Sequence, residues 1–250
     1  MALIDNIVGY WKMDGNSNDS VGSANGTDTS ITYSVPNGKI NEGGGFVAAS
    51  NSRSLVGAVG GTGVALATFN CWAKVPNTTG NLDRVLVGYN GWSTNGQFSF
   101  EMFSRDSGST YNRILFYVYG SNPDGSSVAN AKFCTTDIGD GNWHMITSVV
   151  NTTTRNISYY VDGSFVNTVN FATALPAISL DNLILGSWFV GGGYRSYNDA
   201  IDEIGIWTRE LSAGEISQLY NGGVGVQYPF VDAGNYLPIM HHMQIAGGLM

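Results

Sequence analysis

The sequence predicts an all-β fold of antiparallel strands closed by one short helix. Three observations carry that reading. Glycine supplies 34 of the 250 residues while charged residues make up only 12%, against a usual share of about 25%. Short segments rich in β-branched and aromatic residues recur, separated by turns of Gly, Asn, Ser and Asp. One segment near the end passes from strand-like alternation straight into a capped helical pattern.

Residues 7–13 read as the first strand, and residues 14–30 as a polar loop rich in Asn, Gly and Ser. Residues 39–48 run through three glycines to Phe46. Residues 68–75 and 83–89 are successive strands. Residues 97–104 alternate Phe98, Phe100 and Met102 against Gln97, Ser99 and Glu101. Residues 112–119 place Ile114, Phe116 and Val118 on one face. Residues 143–150 and 156–161 follow. Asp162-Gly163 is a hairpin turn, because glycine accepts positive φ, and residues 165–170 are the return strand. Residues 182–186 and 200–207 complete about a dozen strands, whose short connections imply antiparallel pairing.

Strict alternation in the last strand sends Ala200, Asp202, Ile204 and Ile206 to one face. Ile201, Glu203, Gly205 and Trp207 go to the other. Ser212 and Glu215 form a Ser-x-x-Glu capping box. Ile216, Leu219 and Tyr220 make an apolar stripe at helical spacing, and Asn221-Gly222-Gly223 stops the helix.

The chain carries a net charge of −8 and a pI near 4.6. Its 11 Lys and Arg residues are scattered singly, so no basic face for nucleic acid is visible. The acidic balance serves solubility. Cys71 and Cys134 lie beside aromatic residues in strand-like runs; a disulfide and two buried thiols are both compatible with that. No apolar run approaches the ~20 residues of a membrane span. The N-terminus lacks the basic and apolar regions of a signal peptide. After Tyr228-Pro229-Phe230 the pattern breaks. Residues 1–230 are expected to form the β domain. Residues 231–250, with Ile239, Met240, Met243, Ile245 and Leu249, are expected to be a docking tail.

Five segments, in order, resemble the laminin-G-like, concanavalin A-type jelly-roll family. They are Val8-Gly9-Tyr10-Trp11-Lys12-Met13-Asp14 with Asn18-Asp19-Ser20 and Asn25-Gly26-Thr27; Phe69-Asn70-Cys71-Trp72-Ala73-Lys74; Gly141-Asn142-Trp143-His144-Met145 with residues 157–163; Leu183-Ile184-Leu185-Gly186; and Ile201-Asp202-Glu203-Ile204 with residues 211–216. The resemblance covers roughly residues 5–223 and implies a two-sheet antiparallel jelly-roll sandwich with one short C-terminal helix. It leaves function open, since one fold hosts many roles.

Glycosidases of this fold pair two carboxylates across one bond, on a Glu-x-Asp-x-x-Glu run that this sequence lacks. Asp202 and Glu203 are neighbours on a strand, so alternation sends them to opposite faces. Glu42, Glu101, Glu210 and Glu215 are isolated. His144 follows Trp143 in a strand motif and is read as structural. There is no Gly-x-Ser-x-Gly elbow, and the glycine runs at 43–45 and 191–193 lack the lysine and helix of a phosphate loop. No catalytic residues are expected.

Residues 14–19 place oxygens at alternate positions, as a calcium loop does, but Asp19 stands where such a loop needs glycine. Domains resembling this one often hold a structural Ca²⁺ between the first-strand region and the closing strand. That resemblance implies Asp14 and Asp202 as ligands. The alternative reading of Asp14 is a side-chain turn.

Trp11, Trp72, Trp143 and Trp207 lie in strand motifs and are read as packing residues. Trp92, Trp188, Tyr194, Arg195 and Tyr197 lie in polar loops and are the expected glycan-binding edge. This organisation points to a non-enzymatic surface protein: a phage-like virion decoration or fibre component that displays a glycan- or surface-binding module. Its tail contacts other particle or self subunits, with no nucleic acid and no membrane insertion. The alternative is a secreted bacterial carbohydrate-binding or adhesion module, extracellular or at the cell surface. A glycoside hydrolase of the same fold is third.

Overall fold

The computed structural model describes residues 1–77, 82–91, 98–104, 112–118, 133–171, 175–190 and 192–230. In chain order its strands are β1 (Ile7–Trp11), β2 (Thr27–Thr29), β3 (Thr32–Ser34), β4 (Gly43–Gly45), β5 (Arg53–Gly57), β6 (Gly61–Val64), β7 (Leu66–Lys74), β8 (Leu82–Tyr89), β9 (Phe98–Ser104), β10 (Arg113–Val118), β11 (Trp143–Asn151), β12 (Asn156–Val161), β13 (Ser164–Asn170), β14 (Ile178–Leu180), β15 (Leu183–Leu185), β16 (Phe189–Val190), β17 (Gly193–Tyr194) and β18 (Ala200–Trp207). One helix follows, α1 (Ala213–Tyr220).

Two antiparallel sheets face each other. The first has the order β13-β12-β11-β7-β18-β4-β3, with β1 also paired to β18. The second has the order β10-β9-β8-β15-β5-β2. This is the jelly-roll sandwich that the sequence predicts. Phe69, Cys71, Ile146 and Val150 from the first sheet meet Phe98, Phe100, Ile114, Phe116, Leu183 and Leu185 from the second. The Phe69 ring lies 4.8 Å from Phe98 and 4.9 Å from Phe116, centroid to centroid. Those spacings are favourable for tilted aromatic pairs. Cys71 and Cys134 are both free and buried, which settles the pairing question in favour of thiols.

A second apolar layer covers the outer face of the first sheet. Leu3, Trp72, Met145, Val149 and Trp207 pack there against Leu211, Ile216 and Leu219. The predicted capping box is present: Ser212 accepts from the Glu215 N–H, and Glu215 accepts from the Ser212 N–H. Glu215 also pairs with buried Arg209 (2.6 and 3.0 Å), whose guanidinium donates to the carbonyls of Ala2 and Asp5. One ion pair therefore ties the helix start to the N-terminus. The chain then returns as a strap, residues 224–230. Phe230 of this strap stacks on Trp207 at 6.2 Å and meets Tyr10 edge-on at 5.4 Å.

The structure corrects the alternation expected for β18. Its register on β7 shifts between Asp202 and Gly205, and Glu203 has φ +49°. This is a β-bulge, which inserts one extra residue. Ile201, Ile204 and Ile206 all face the inter-sheet core. Asp202, Glu203 and Trp207 face outward, toward the strap. The bulge falls where β18 changes partner, from β4 at Ala200–Ile201 to β1 at Ile204–Trp207.

Candidate functional site

Two regions hold the residues that chemistry or binding would use. The first is the outward-facing acid pair of β18. Asp202 is fully buried; its Oδ2 accepts from the Lys39 and Ile40 N–H groups (2.8 and 2.9 Å) and its Oδ1 from the Glu203 N–H (3.0 Å). Glu203 Oε2 shares a hydrogen bond with the Tyr10 hydroxyl, and its Oε1 accepts from the Gln227 amide at 2.6 Å. That same Gln227 nitrogen donates to Asp14 Oδ2 at 2.8 Å. Asp14 Oδ1 accepts from the Glu42 N–H at 3.1 Å. The structure thus brings Asp14 and Asp202 to one loop, residues 39–42, and joins Glu203 to them through the strap.

Burial pushes the Glu203 carboxyl up to about 9, with the Asp202 charge adding to the effect. Burial raises Asp202 as well, against three N–H donors that favour its ionised form. Those donors decide where the proton of this coupled pair sits. Asp202 is ringed by groups that can only donate, whereas the hydroxyl beside Glu203 can also accept. The proton belongs on Glu203. Tyr10 then turns its own hydrogen to the Val226 carbonyl, 3.3 Å away.

The bulge overturns the expectation that Asp202 and Glu203 face apart. They share a face, yet Asp202 is 0% and Glu203 1% exposed. No glycosidic bond can reach them beneath Tyr10 and Gln227. The set does not fit a calcium ion either. Every carboxyl oxygen of Asp14, Asp202 and Glu203 already has a hydrogen-bond partner. The Gln227 amide nitrogen occupies the position between Asp14 and Glu203 that a bridging cation would take. Among the described residues no group of three His, Cys, Asp or Glu is arranged to hold a metal.

The second region is the rim built by β16 and β17 on the outer face of the second sheet. Gly88 makes it possible: a Cβ there would lie 2.5 Å from the Ser187 carbonyl oxygen and 2.9 Å from Trp188 Cβ. Gly186, at φ +70°, turns the chain from β15 into the rim where Phe46 leaves no room for a side chain. The rim is tied down by bridges from Val85 to Ser196 and from Asn90 to Phe189.

Two of the five expected ligand residues are buried here. Tyr197 is fully buried in the core and donates to the Lys74 carbonyl at 2.9 Å. Trp188 is 7% exposed and packs on Tyr117 at 5.9 Å. These two hold the rim in place and present no face to a ligand. Tyr194 is half-buried and Arg195 exposed. Trp92 lies outside the described residues.

The rim has two further members: Phe189, which flanks the glycine run at 191–193 beside the expected ligands, and Arg53, which the sequence did not point to. Phe189 lies 5.0 Å from the Tyr194 ring, and the Arg53 guanidinium lies over that ring at 3.9 Å. Alternation with core-facing Val56 puts Arg53 on the outer face of β5. Its signal in the sequence was weak, because 141 positions separate it from Tyr194 and residues 53–57 show no clear apolar alternation. Its Nε is buried without an acceptor, a cost of about 1–3 kcal/mol.

His144 is placed as a structural residue. It bonds Asp162 in the β12–β13 turn at 2.8 Å and Asp140 at 3.1 Å.

A sequence profile for the concanavalin A-like lectin/glucanases superfamily, of the laminin-G type, matches residues 42–217. The chain belongs to that superfamily. No curated protein matches the chain in sequence. Solved structures that share the superfamily fold include domain 4 of AbnA, a GH43 extracellular arabinanase from Geobacillus stearothermophilus, in complex with arabinotriose. It is 15% identical with a TM-score of 0.63, over 85% of this chain and 97% of that one. The binding domain of Paraclostridial Mosquitocidal Protein 1 is 17% identical, with a TM-score of 0.65, over 88% of this chain and 53% of that one. The binding domain of Botulinum neurotoxin DC, in complex with rat synaptotagmin II, is 13% identical, with a TM-score of 0.62, over 88% and 52%. The chain spans about half the length of these two toxin domains. At such identities the likeness is one of fold.

Proposed function

We propose that this protein is a non-enzymatic recognition module that binds a glycan, or a glycan-bearing surface, through the rim of β16 and β17. The carrying observation is the Arg53–Tyr194 stack at 3.9 Å with Phe189 beside it. It is a surface aromatic platform with hydrogen-bond donors at its edge, the combination that sugars need. The acids that could have served a hydrolase are sealed under the strap, which also favours binding over turnover.

We further propose that the module is displayed on a particle, as a phage-like virion decoration or fibre component. The apolar residues 239–249 would contact particle or self subunits. Loss of particle or oligomer assembly on deleting residues 231–250 is the expected result, and unchanged assembly sinks the anchoring role. A secreted carbohydrate-binding or adhesion module is the second reading. It is favoured by the arabinanase domain, which this chain matches over 97% of that domain's length.

The test of the binding reading is a saccharide array probed with the full chain and with Tyr194→Ala. Binding that is lost in the variant supports the rim. Binding that survives Tyr194→Ala moves the site elsewhere, and absence of any bound saccharide removes the glycan reading.

A further inference from the structure

We propose that the rim selects saccharides that carry a carboxylate, with Arg53 as the residue that reads the charge; this rests on the glycan-binding reading above. A guanidinium has five N–H donors; Arg53 gives one to the Asn51 carbonyl at 2.8 Å and its Nε–H is buried, which leaves the outer edge formed by the two terminal nitrogens for a ligand. Among the described residues it meets no carboxylate, since the ion pairs there belong to His144 and Arg209. Tyr194 fixes the plane of the guanidinium from one side. A planar fork held flat on an aromatic ring is pre-organised for bidentate recognition of a carboxylate.

The rest of the protein makes this placement unusual. The chain has a net charge of −8 and only 11 Lys and Arg residues, yet one of those residues lies over the rim tyrosine. The overall negative charge repels an acidic ligand at long range. That repulsion is screened beyond about 8 Å at physiological salt, so the local guanidinium decides once contact is made. Half-buried Phe189 and Tyr194 supply apolar surface for a sugar ring, which favours an acidic saccharide over an acidic peptide.

The experiment is a calorimetric titration of the full chain with matched pairs: sialyllactose against lactose, and trigalacturonic acid against its methyl ester. Poly-glutamate is the peptide control. At least one acidic member is expected to bind about tenfold or more tightly than its neutral partner, and added salt shrinks that gap. Arg53→Ala is expected to equalise the pair, and Arg53→Lys to restore only part of the difference, with melting curves confirming that both variants are folded. Equal or tighter binding of the neutral partners overturns acid selection and leaves the glycan reading standing. An acid preference that Arg53→Ala does not change overturns the role given to Arg53. Binding of poly-glutamate with no saccharide bound overturns both, as does no binding at all.

Discussion

The two sheets treat their outer faces in opposite ways. On the first sheet, Asp14, Asp202, Glu203, Tyr10 and Gln227 satisfy one another beneath the strap. On the second, the Arg53 guanidinium lies over Tyr194 and gives one hydrogen bond, to the Asn51 carbonyl. Polar residues that a sequence reader would rank as chemistry are consumed by architecture. A residue that the same reader would pass over stands at the surface with capacity to bind. Burial and partner count, more than residue type, separate the structural carboxylates from the guanidinium proposed to bind.

Truncating one tyrosine on each face gives the sharpest contrast. Tyr10 is 1% exposed and packs on Tyr228 and Phe230. Tyr10→Ala is expected to cost about 3–5 kcal/mol in denaturant unfolding, as for large aromatic truncations in cores. Tyr194→Ala is expected to cost under about 1 kcal/mol, because the ring is half exposed. Equal losses would erase the distinction between a tied and a presenting face.

Glu203→Gln tests the placement of the proton. The carboxyl of Glu203 is raised in the folded protein to about 9, so the native state holds a proton that the unfolded chain releases above its ordinary carboxylate range. Stability therefore falls as pH rises from about 4.5 toward 9, by up to about 1.4 kcal/mol per pH unit for this proton. The carboxamide mimics the neutral acid. The variant is expected to match or exceed the parent at pH 8 and to show a flatter pH profile. An unchanged slope would place the proton elsewhere.

His144 on β11, two strands from β18 in the first sheet, gives a smaller effect of the same sign. Its hydrogen bond to Asp162 raises its pKa, and Asp140 adds to that against burial. This contribution is full below the ordinary histidine range of about 6.5 and is lost as pH climbs through the raised folded value. His144→Gln is expected to remove that component of the pH profile while leaving saccharide binding untouched. The smallest expected effect is that of calcium: with Gln227 between Asp14 and Glu203, melting temperatures in Ca²⁺ and in EDTA should coincide. A rise in Ca²⁺ would show that the clasp opens to the ion.

Much of the fold was legible because its signals are local. Residues 200–207 and 156–161 are strands at the predicted bounds, and the Ser212–Glu215 box caps α1 as spacing requires. Thr27–Thr29, Gly61–Val64 and Gly193–Tyr194 were missed, since short polar or glycine-rich strands carry no alternation. The bulge at Glu203 was invisible for a different reason. It arises from β18 changing partner between β4 and β1, a tertiary demand with no trace in Asp-Glu-Ile-Gly itself. The proposed binding edge was half legible: aromatic residues near the glycine run marked the rim, but only packing reveals that Tyr197 and Trp188 turn inward while Arg53 joins from a distant strand.

The central claim is that the rim recognises and the acid pair does not react. It is tested most directly by measuring binding and hydrolysis of saccharides side by side for the parent, Tyr194→Ala and Glu203→Gln. The account predicts binding without turnover, abolished by Tyr194→Ala and retained in Glu203→Gln. Hydrolysis by the parent that disappears in Glu203→Gln would contradict it.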